Sequence, residues 1–396
     1  MSDPVEHIRR YQSELTAFRR DLHAHPELAF AETRTSQRVA DQLVDWGIEV
    51  HRGLAKTGVV GVIPGRRPGS RAVGLRADMD CLPMHETAAR PHKSRNEGRM
   101  HACGHDGHTA MLLGAARYLS ETRAFDGTAY VIFQPAEEYG AGANVMVQEG
   151  LFERFPVDEI YALHNWPGLA PGKIAVRAGP MLAACDEIRI QVRGMGGHGA
   201  MPHLAVDPVV AAAHIITALQ TIASRNVSPL DAIVVSVCSM ETSQLGTFNV
   251  IPDAVKLVGT VRTFRAQTQA LAERRIREIA GGVASSLGAS AEVEYIRCIP
   301  ATVNSPREAQ FAARVGERIF GLENVVREFD PTMGGEDFSY MLLARPGAYV
   351  LLGQGGEQGG CYLHNPNYDF NDDVIPLGAG YLAALAEDAL PLTQEI

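Results

Sequence analysis

The sequence predicts an α/β protein with a mostly parallel central sheet and helices on both faces, interrupted by a smaller α+β domain. Continuous apolar runs such as "TAYVIFQ" (128–134) and "EIYALH" (159–164) are typical of strands buried on both faces. Because these runs alternate with helical segments, a parallel sheet with helices on both sides is expected. Between about residues 184 and 300 the order strand, helix, two strands, helix, strand is that of a ferredoxin-like fold.

The first part of the chain justifies the α/β prediction element by element. Helical apolar spacing opens the chain, whereas the runs predicted as strands are apolar or β-branched and are bounded by Gly or Pro. The polar stretch 85–99 predicts a loop. The predicted elements are helices at about 5–24, 33–46 and 109–121, and strands at 58–65, 71–80, 128–134 and 159–164.

The pattern of the sequence changes near residue 184. "DEIRIQVRG" (186–194) alternates apolar and polar residues, which indicates a strand with one exposed face. Asp207 followed by Pro208 is typical of a helix start. The predicted elements of this part are strands at 186–194, 232–241, 254–264 and 290–300, and helices at about 208–225 and 267–287.

After about Asn304 the chain returns to helix and buried strand, notably "AYVLLGQG" (348–355). We therefore expect residues 1–183 and 301–396 to form one α/β domain. Residues 184–300 are expected to form a second domain that is inserted into the first.

Composition excludes several classes of protein. The 396 residues carry 36 basic and 46 acidic side chains, a formal net charge of -10, which argues against nucleic acid or an anionic membrane as a partner. The charged start lacks the apolar core of a signal peptide, and no run approaches the ~18 apolar residues of a membrane span. We expect a cytoplasmic protein whose six scattered cysteines are mostly free thiols.

Side chains that bind metals or transfer protons follow the predicted strands where the strands end. In an open α/β sheet, the carboxyl ends of the strands line a crevice that binds ligands. "MHACGHDGHTA" (100–110) adds a thiol and imidazoles just before a predicted helix. The candidates are Asp78, Asp80, Cys103, His105, Glu137, Glu138, His164 and His364.

This mixture of thiolate, imidazole and carboxylate groups suits borderline divalent ions. Two such ions that share a bridging ligand can activate one water molecule. Of the adjacent pair Glu137 and Glu138, one carboxylate can bind metal while the other transfers protons. The sequence leaves open which does which.

Other motifs have competing interpretations. His101 and His108 fit structural roles as well as ligand roles, and Asp106 fits a helix cap. "GMGGHG" (194–199) matches a dinucleotide-binding pattern, but Pro202 and Pro208 interrupt the long helix that such a site requires. A close-packed Gly turn that presents His198 is the better interpretation.

Taken together, the motifs resemble one family along nearly the whole chain. The chain resembles M20-type metal-dependent amidohydrolases, in the subgroup of hippurate hydrolases, N-acyl-amino-acid deacylases and plant auxin-conjugate hydrolases. The matching stretches are "RRDLHAHPELAFAETRTS", "GLRADMDCLPMHE", "MHACGHDGHTAMLLGAA", "FQPAEEYGAGA", "ALHNWP", "GGHGAMPH", "NVIPDAVKLVGTVRTF", "GGEDFSYML" and "YLHNPNYDFND".

The resemblance implies a centre of two divalent metal ions, zinc or manganese. The implied ligands are Cys103, which bridges both ions, together with His105, Glu138, His164 and His364. Glu137 then occupies the position of the general base, and Asp80 that of an acid that orients a ligand imidazole. Wider relatives carry His-x-Asp where this chain has Asp78-Met79-Asp80, so a ligand role for Asp78 and the choice of metal stay open.

The resemblance also assigns the inserted domain, residues 184–300, as a lid and dimerisation module. His198 and Asn249 are then expected to reach the active site, often from a partner subunit, and to stabilise the oxyanion. Arg262 lies where relatives use a cation to hold the substrate carboxylate, although a surface charge is an equal alternative. A homodimer or homotetramer through the lid is expected.

The expected activity is hydrolysis of a small N-acyl-amino acid, hippurate-like in its acyl group, to a carboxylic acid and a free amino acid. Alternative substrates are N-acetyl-diaminopimelate, N-acetylcysteine or an indole-acetyl conjugate, because the sequence does not define the pocket walls. Two other classes of protein are alternatives, a metal-free binding or scaffold protein and a hydrolase with Cys103 as nucleophile. The second leaves the Glu pair and the distant histidines unexplained.

Overall fold

The computed structural model describes residues 3–244, 246–356 and 361–393. The chain divides into two compact units. The larger unit comprises Met1–Met181, Thr302–Asp330 and Glu336–Ile396, and the smaller comprises Leu182–Ala301 and Pro331–Gly335. Within the described part of the chain, no helix is sufficiently long and apolar to span a lipid bilayer.

The strands are β1 (Glu49–Leu54), β2 (Gly58–Pro64), β3 (Ala72–Asp78), β4 (Thr128–Gln134), β5 (Glu159–Pro167), β6 (Ile174–Ala175), β7 (Gly179–Leu182), β8 (Ala184–Arg193), β9 (Gly197–His198), β10 (Ile233–Thr242), β11 (Val250–Ile251), β12 (Ala254–Thr263), β13 (Ser290–Ile299), β14 (Thr302–Asn304), β15 (Val325–Val326) and β16 (Gly347–Gly355).

The α-helices are α1 (Pro4–Ile8), α2 (Gln12–Ala24), α3 (Thr33–Asp45), α4 (His105–Thr122), α5 (Gly142–Gln148), α6 (Leu151–Arg154), α7 (Pro208–Leu219), α8 (Ala266–Ser286), α9 (Pro306–Phe320), α10 (Ser339–Ala344) and α11 (Ile375–Ala389). Short 3₁₀ turns and one π-helical turn lie between them.

The larger unit is built on an eight-stranded sheet with the order β1-β2-β4-β3-β5-β16-β6-β15. Its four central strands, β4, β3, β5 and β16, run parallel to one another, while β1, β2 and β6 add antiparallel pairs. Every residue of β3 is buried, and neighbouring residues of a strand point to opposite faces, so both faces of the sheet centre are covered. The predicted α/β architecture is confirmed.

The smaller unit is an antiparallel sheet with the order β10-β12-β8-β13, against which α7 and α8 pack. Burial alternates along β8 and β12, because one face contacts the helices and the other does not. Ile188, Ile190 and Val192 of β8 form a core with Ile215 of α7 and Ile276 of α8. The predicted ferredoxin-like order is confirmed.

The observed helices and strands differ from the predicted ones mainly where polar residues form part of a helix or strand. The edge strand β1 was not predicted, because "EVHRGL" pairs only with β2 and is largely exposed on its other side. Helix α4 begins at His105 rather than at residue 109, since its first polar residues are buried. The helix expected at 208–225 is divided into α7 and a π-helical turn at Ile222–Asn226. As predicted, the Asp207 carboxylate caps α7 and accepts from the N–H of Val209.

Candidate metal centre

The carboxyl ends of neighbouring parallel strands bring the candidate side chains of the larger unit together. β3 ends at Asp78, and the turn that follows β4 carries Glu137 and Glu138. His164 lies near the end of β5, and His105 is the first residue of α4. Because β4, β3 and β5 are adjacent and parallel, their ends meet at one edge of the sheet.

The five predicted metal ligands form two overlapping groups. Donor atoms of Cys103, His105 and His164 all lie within 4.8 Å of one another, as do those of Cys103, Glu138 and His364. The Cys103 Sγ is 3.4 Å from the His164 Nε2, and the His364 Nε2 is 3.6 Å from the Glu138 Oε2. Cys103 therefore belongs to both groups, which is the position that a ligand shared by two ions would take.

The buried donor atoms fit a divalent cation. Nδ1 of His105 lies 3.0 Å from the Asp80 carbonyl oxygen, and Nδ1 of His164 lies 2.7 Å from the Asn165 carbonyl oxygen. These bonds leave both Nε2 atoms facing the cluster as acceptors. Nε2 of His105 and Oε1 of Glu138 are buried with no hydrogen-bond partner among the described residues. Unpaired buried polar atoms of this kind are costly unless a ligand satisfies them.

Burial and neighbouring carboxylates disfavour the charged forms of two acidic groups in the cluster. Burial and the carboxylate of Glu138 hold the pKa of the Cys103 thiol well above its usual value. Burial, with added repulsion from Asp80 and Asp78, outweighs the imidazole of His105 and raises the pKa of Glu138 to about 7. A divalent cation reverses such shifts, because it stabilises the thiolate and the carboxylate that bind it.

Glu137 stands beside this cluster. Its Oε2 is 3.9 Å from the His105 Nε2, and the residue is 8% exposed. Burial, followed by the charges of Glu336 and Glu138, raises the pKa of Glu137 well above its usual value. Its donor atoms also approach those of Glu336 and Asp337, which are buried in "GGEDFSYML".

Asp80 holds the Glu pair through backbone bonds. Its two carboxylate oxygens accept from the backbone N–H groups of Glu137 and Glu138, each at 3.0 Å. The His105 Nδ1 lies closer to the Asp80 carbonyl, at 3.0 Å, than to the carboxylate, at 3.4 Å. The imidazole is thus oriented mainly by the Asp80 main chain, while the side chain fixes the turn that carries both glutamates.

The remaining candidates of "MHACGHDGH" and β3 have defined partners. Asp78 lies 2.6 Å from the His108 Nδ1 and accepts from Arg76 at 2.8 Å. Asp106 lies 2.8 Å from the His23 Nδ1 rather than capping α4, which begins after Gly104. Asp78 and Asp106 therefore form hydrogen bonds that hold neighbouring side chains in place.

Sequence reasoning missed a buried arginine network. Arg76 is fully buried within β3 and donates to Gln134, Glu336 and Asp337 as well as to Asp78. A charged residue in the otherwise apolar run "AVGLRAD" was the available signal, because an arginine is rarely buried unless it is paired. The network ties the ends of β3 and β4 to the loop that carries Glu336.

The predicted lid residues lie in the smaller unit. His198 of β9 pairs with Val250 of β11, and the Gly199 N–H donates to the Asn249 carbonyl at 2.8 Å, so His198 and Asn249 occupy neighbouring segments. His198 is exposed. Arg262, on β12, donates to the Thr260 hydroxyl at 3.2 Å. The substrate roles of these three residues stay predictions.

The dinucleotide alternative is wrong. A site of that kind requires the Gly-rich turn to open a long helix whose N-terminus holds the pyrophosphate. Here "GMGGHG" runs through the short strand β9 into a 3₁₀ turn at Pro202–Leu204.

Sulfur, nitrogen and oxygen donors at the carboxyl edge of a mostly parallel sheet, beside a further buried carboxylate, define the protein as a metal-dependent hydrolase. The model of peptidase family M20/M25/M40 matches residues 74–388. The chain belongs to this family, and it is an enzyme that hydrolyses amide bonds.

Individual relatives match nearly the whole chain. The hippurate hydrolase of Campylobacter jejuni is 39% identical over 382 residues, which is 96% of this chain and 98% of the relative. An N-acetylcysteine deacetylase of Bacillus subtilis is 38% identical over 389 residues, 98% of each chain. A solved structure of a dinuclear metal-binding peptidase of the M20 family from Bacillus subtilis is 34% identical, with a TM-score of 0.84 over 96% of this chain and 99% of that chain.

Proposed function

We propose that the protein hydrolyses the amide bond of small N-acyl-amino acids, hippurate-like in their acyl group, at a centre of two divalent ions. The observation that carries this proposal is the convergence of Cys103, His105, Glu138, His164 and His364, with a further buried carboxylate, Glu137, beside them. The similarity to a hippurate hydrolase and to an N-acetylcysteine deacetylase supports an N-acyl-amino acid as the substrate.

Two overlapping donor groups would hold the ions, with Cys103 shared between them. When bound, such ions lower the pKa of a water molecule and polarise the amide carbonyl. Zinc and manganese are both compatible with these donors, and the softness of the thiolate favours zinc.

Glu137 would act as the general base and then as the general acid. Its raised pKa suits this role, because a carboxylate with a higher pKa is a better proton acceptor and can also return the proton. It would take the proton from the attacking water and deliver it to the departing amide nitrogen. The Asp80 bond to the Glu137 N–H keeps the carboxylate in place during both transfers.

Residues of the inserted module, 184–300, would complete the site. His198 and Asn249 would donate to the oxyanion that forms when water attacks the amide. Arg262 would bind the substrate carboxylate with two parallel N–H bonds. We propose that the module acts as a lid and joins subunits into a homodimer or homotetramer, and that the enzyme is cytoplasmic.

The experiment that tests this proposal is a substrate panel measured on metal-free and metal-loaded protein. Hippurate, N-acetylcysteine, N-acetyl-diaminopimelate and an indole-acetyl amino acid would be compared by kcat/KM. We expect activity to disappear with a chelator and to return with zinc or manganese, and hippurate to be the best substrate. Activity that survives chelation but not thiol alkylation would instead support Cys103 as a nucleophile. Metal-free protein with no activity on any addition would support the scaffold alternative.

A further inference from the structure

A buried polar chain lies behind the metal-ligand cluster and consists of Asp78, His108 and Asn165. Nδ1 of His108 is 2.6 Å from the Asp78 Oδ1, and its Nε2 is 2.6 Å from the Asn165 Oδ1. The Asn165 backbone N lies 3.1 Å from the same Nε2, which bonds one of these two Asn165 atoms at a time, as a donor to Oδ1 or as an acceptor from the backbone N–H. All three side chains are at most 1% exposed, so water does not compete with these bonds.

The main chain of Asn165 controls one predicted ligand directly. Its carbonyl oxygen accepts from the His164 Nδ1 at 2.7 Å. This bond requires the proton on Nδ1, so that Nε2 is left unprotonated and faces Cys103 Sγ at 3.4 Å. The position of the Asn165 peptide therefore decides both the tautomer and the direction of the His164 ring.

The side chain of Asn165 contacts the segment that carries two further ligands, Cys103 and His105. A Cβ atom on Gly104 would lie 2.4 Å from the Asn165 Oδ1 and 2.7 Å from the Tyr368 hydroxyl. Gly104, with φ of 93°, stands between Cys103 and His105. Only a glycine permits this approach, so the Asn165 amide and the turn between the two ligands are packed in direct contact.

Further bonds hold the Asn165 amide in one orientation. Its Nδ2 donates to the Tyr368 hydroxyl at 2.7 Å and to the Gln354 Oε1 at 3.1 Å. Its main chain is fixed in β5, where it pairs with Leu352 of β16. Side chain and main chain are thus anchored from several directions at the point where three predicted ligands meet.

We propose that Asn165 is a positioning residue for the metal centre, and that His108 holds it in place from the Asp78 side. Through its carbonyl Asn165 orients His164, and through its amide it packs the turn that carries Cys103 and His105. This inference rests on the proposed metal centre. It assigns His108 a role in holding other residues rather than in binding metal.

The test compares metal binding by four otherwise identical proteins: the parent, Asn165→Leu, His108→Gln and Asn165→Asp. Apo-protein would be titrated with Zn²⁺ against a competing chelator, and the Co²⁺-loaded forms would be examined by absorption spectroscopy. We expect Asn165→Leu to weaken metal binding about 10- to 100-fold, as removal of groups behind metal ligands does, and to change the Co²⁺–thiolate spectrum. His108→Gln should act in the same direction. Asn165→Asp keeps the size of the side chain but loses the Nδ2 donors to Tyr368 and Gln354, so it should also weaken Zn²⁺ binding.

A matched control separates this role from general stability. Asn304 is also a buried asparagine with hydrogen bonds, to the backbone of Arg177 and Tyr349, but it contacts none of the predicted ligands through these bonds. Asn304→Leu should lower the Tm of the apo-protein but change Zn²⁺ affinity by no more than about twofold. That change is much smaller than the 10- to 100-fold loss expected for Asn165→Leu.

Parent-like Zn²⁺ affinity and Co²⁺ spectra in both Asn165→Leu and His108→Gln would overturn the inference. If Asn165→Leu does not fold, His108→Gln decides the question. If the parent protein itself binds neither Zn²⁺ nor Co²⁺, the proposed metal centre is wrong. That outcome is distinct from failure of the Asn165 inference, in which the parent binds metal and the variants bind it equally well.

Discussion

At the scale of single residues, the proposed chemistry requires two adjacent glutamates to have different functions. Glu138 would bind metal, and Glu137 would transfer protons. Glu138 shares a donor group with Cys103 and His364, Glu137 shares one with Glu336 and Asp337, and both glutamates share a third with His105. Asp80 holds the N–H groups of both, so one turn carries both carboxylates at the edge of the cluster. One turn can therefore provide a ligand and a proton carrier together.

Glu137→Gln tests the proton-transfer role. The amide keeps the shape of the side chain but cannot accept the proton, so kcat should fall by at least about 10²–10⁴-fold, the usual contribution of a general acid–base residue. Bound metal, measured by atomic absorption, should be unchanged. Glu138→Gln is the matched comparison and should lose metal as well as activity. A Glu137→Gln enzyme with kcat near that of the parent would remove Glu137 from this role.

At this scale the sequence predicted which side chains lie together at the candidate metal centre, but not what holds them there. Glu137, Glu138 and Cys103 could be predicted because they follow buried strands or precede a helix. The functions of Asp80 and Asn165 depend on bonds to backbone atoms, which no side-chain pattern reveals. The buried Arg76 network was missed because its partners Glu336 and Asp337 are about 260 residues distant.

At the scale of elements, α4 and α11 pack closely against each other and against the start of the chain. α11 is buried along nearly its whole length, and glycines allow the close approach. A Cβ on Gly380 would lie 2.5 Å from the Val5 Cγ2 and 3.0 Å from the Val5 backbone N. A Gly→Ala substitution is therefore expected to lower the free energy of unfolding at a crowded helical position and to raise it at an open one.

Gly380→Ala should lower the free energy of unfolding by about 1–3 kcal/mol, because α1 must move to admit the methyl group. Gly282→Ala is the control, since α8 leaves open space there, and better helix propensity should stabilise it by up to about 1 kcal/mol. Urea denaturation of both variants measures the difference. A neutral or stabilising Gly380→Ala would contradict the packing described for α11.

A buried carboxyl group on α11 predicts a pH-dependent stability. Burial raises the pKa of Glu387 from its usual value to about 7. For an acid whose pKa is raised by folding, the contribution to stability is present below the unfolded value, near 4.5, and is lost as the pH rises through 7. The parent should therefore lose stability relative to Glu387→Gln between pH 5 and pH 8.

Urea denaturation at four pH values between 5 and 8 checks this prediction, with the exposed Glu323→Gln as a control that should not change the slope. A constant difference between parent and Glu387→Gln across this range would show that the carboxyl group titrates alike in the folded and unfolded chains.

The elements themselves were predictable to different degrees. The central strands were found because burial on both faces demands continuous apolar runs, and β4 begins and ends where predicted. The edge strand β1 and the start of α4 were missed, because their polar residues are stabilised by tertiary contacts rather than by a local pattern. The ferredoxin-like order followed from the succession of strands and helices between residues 184 and 300, and the alternation along β8 marked where this part begins.

At the scale of the whole molecule, the larger unit contains the complete candidate ligand set, and the smaller unit carries the residues predicted to bind the substrate. His198 and Asn249 come from neighbouring segments of the smaller unit, and neither contributes to the metal-donor groups. We therefore predict that metal binding depends on the larger unit, whereas His198 and Asn249 contribute to turnover without binding metal.

His198→Ala tests this separation. Loss of one oxyanion donor typically reduces kcat by about 10²–10³-fold, and metal content should be unchanged because His198 is not a ligand. His214→Ala, which removes an exposed histidine from α7, should leave both quantities unaltered. Loss of metal in His198→Ala would mean that the division of roles between the units is wrong.

The central claim is that five side chains, distant in sequence, hold two divalent ions around one shared thiolate. Anomalous diffraction from crystals of the zinc-loaded enzyme tests it most directly. We expect two anomalous peaks per chain, each about 2.3 Å from Cys103 Sγ, one beside His105 and His164 and the other beside Glu138 and His364. A single peak, or peaks that are not bound to Cys103, would contradict it.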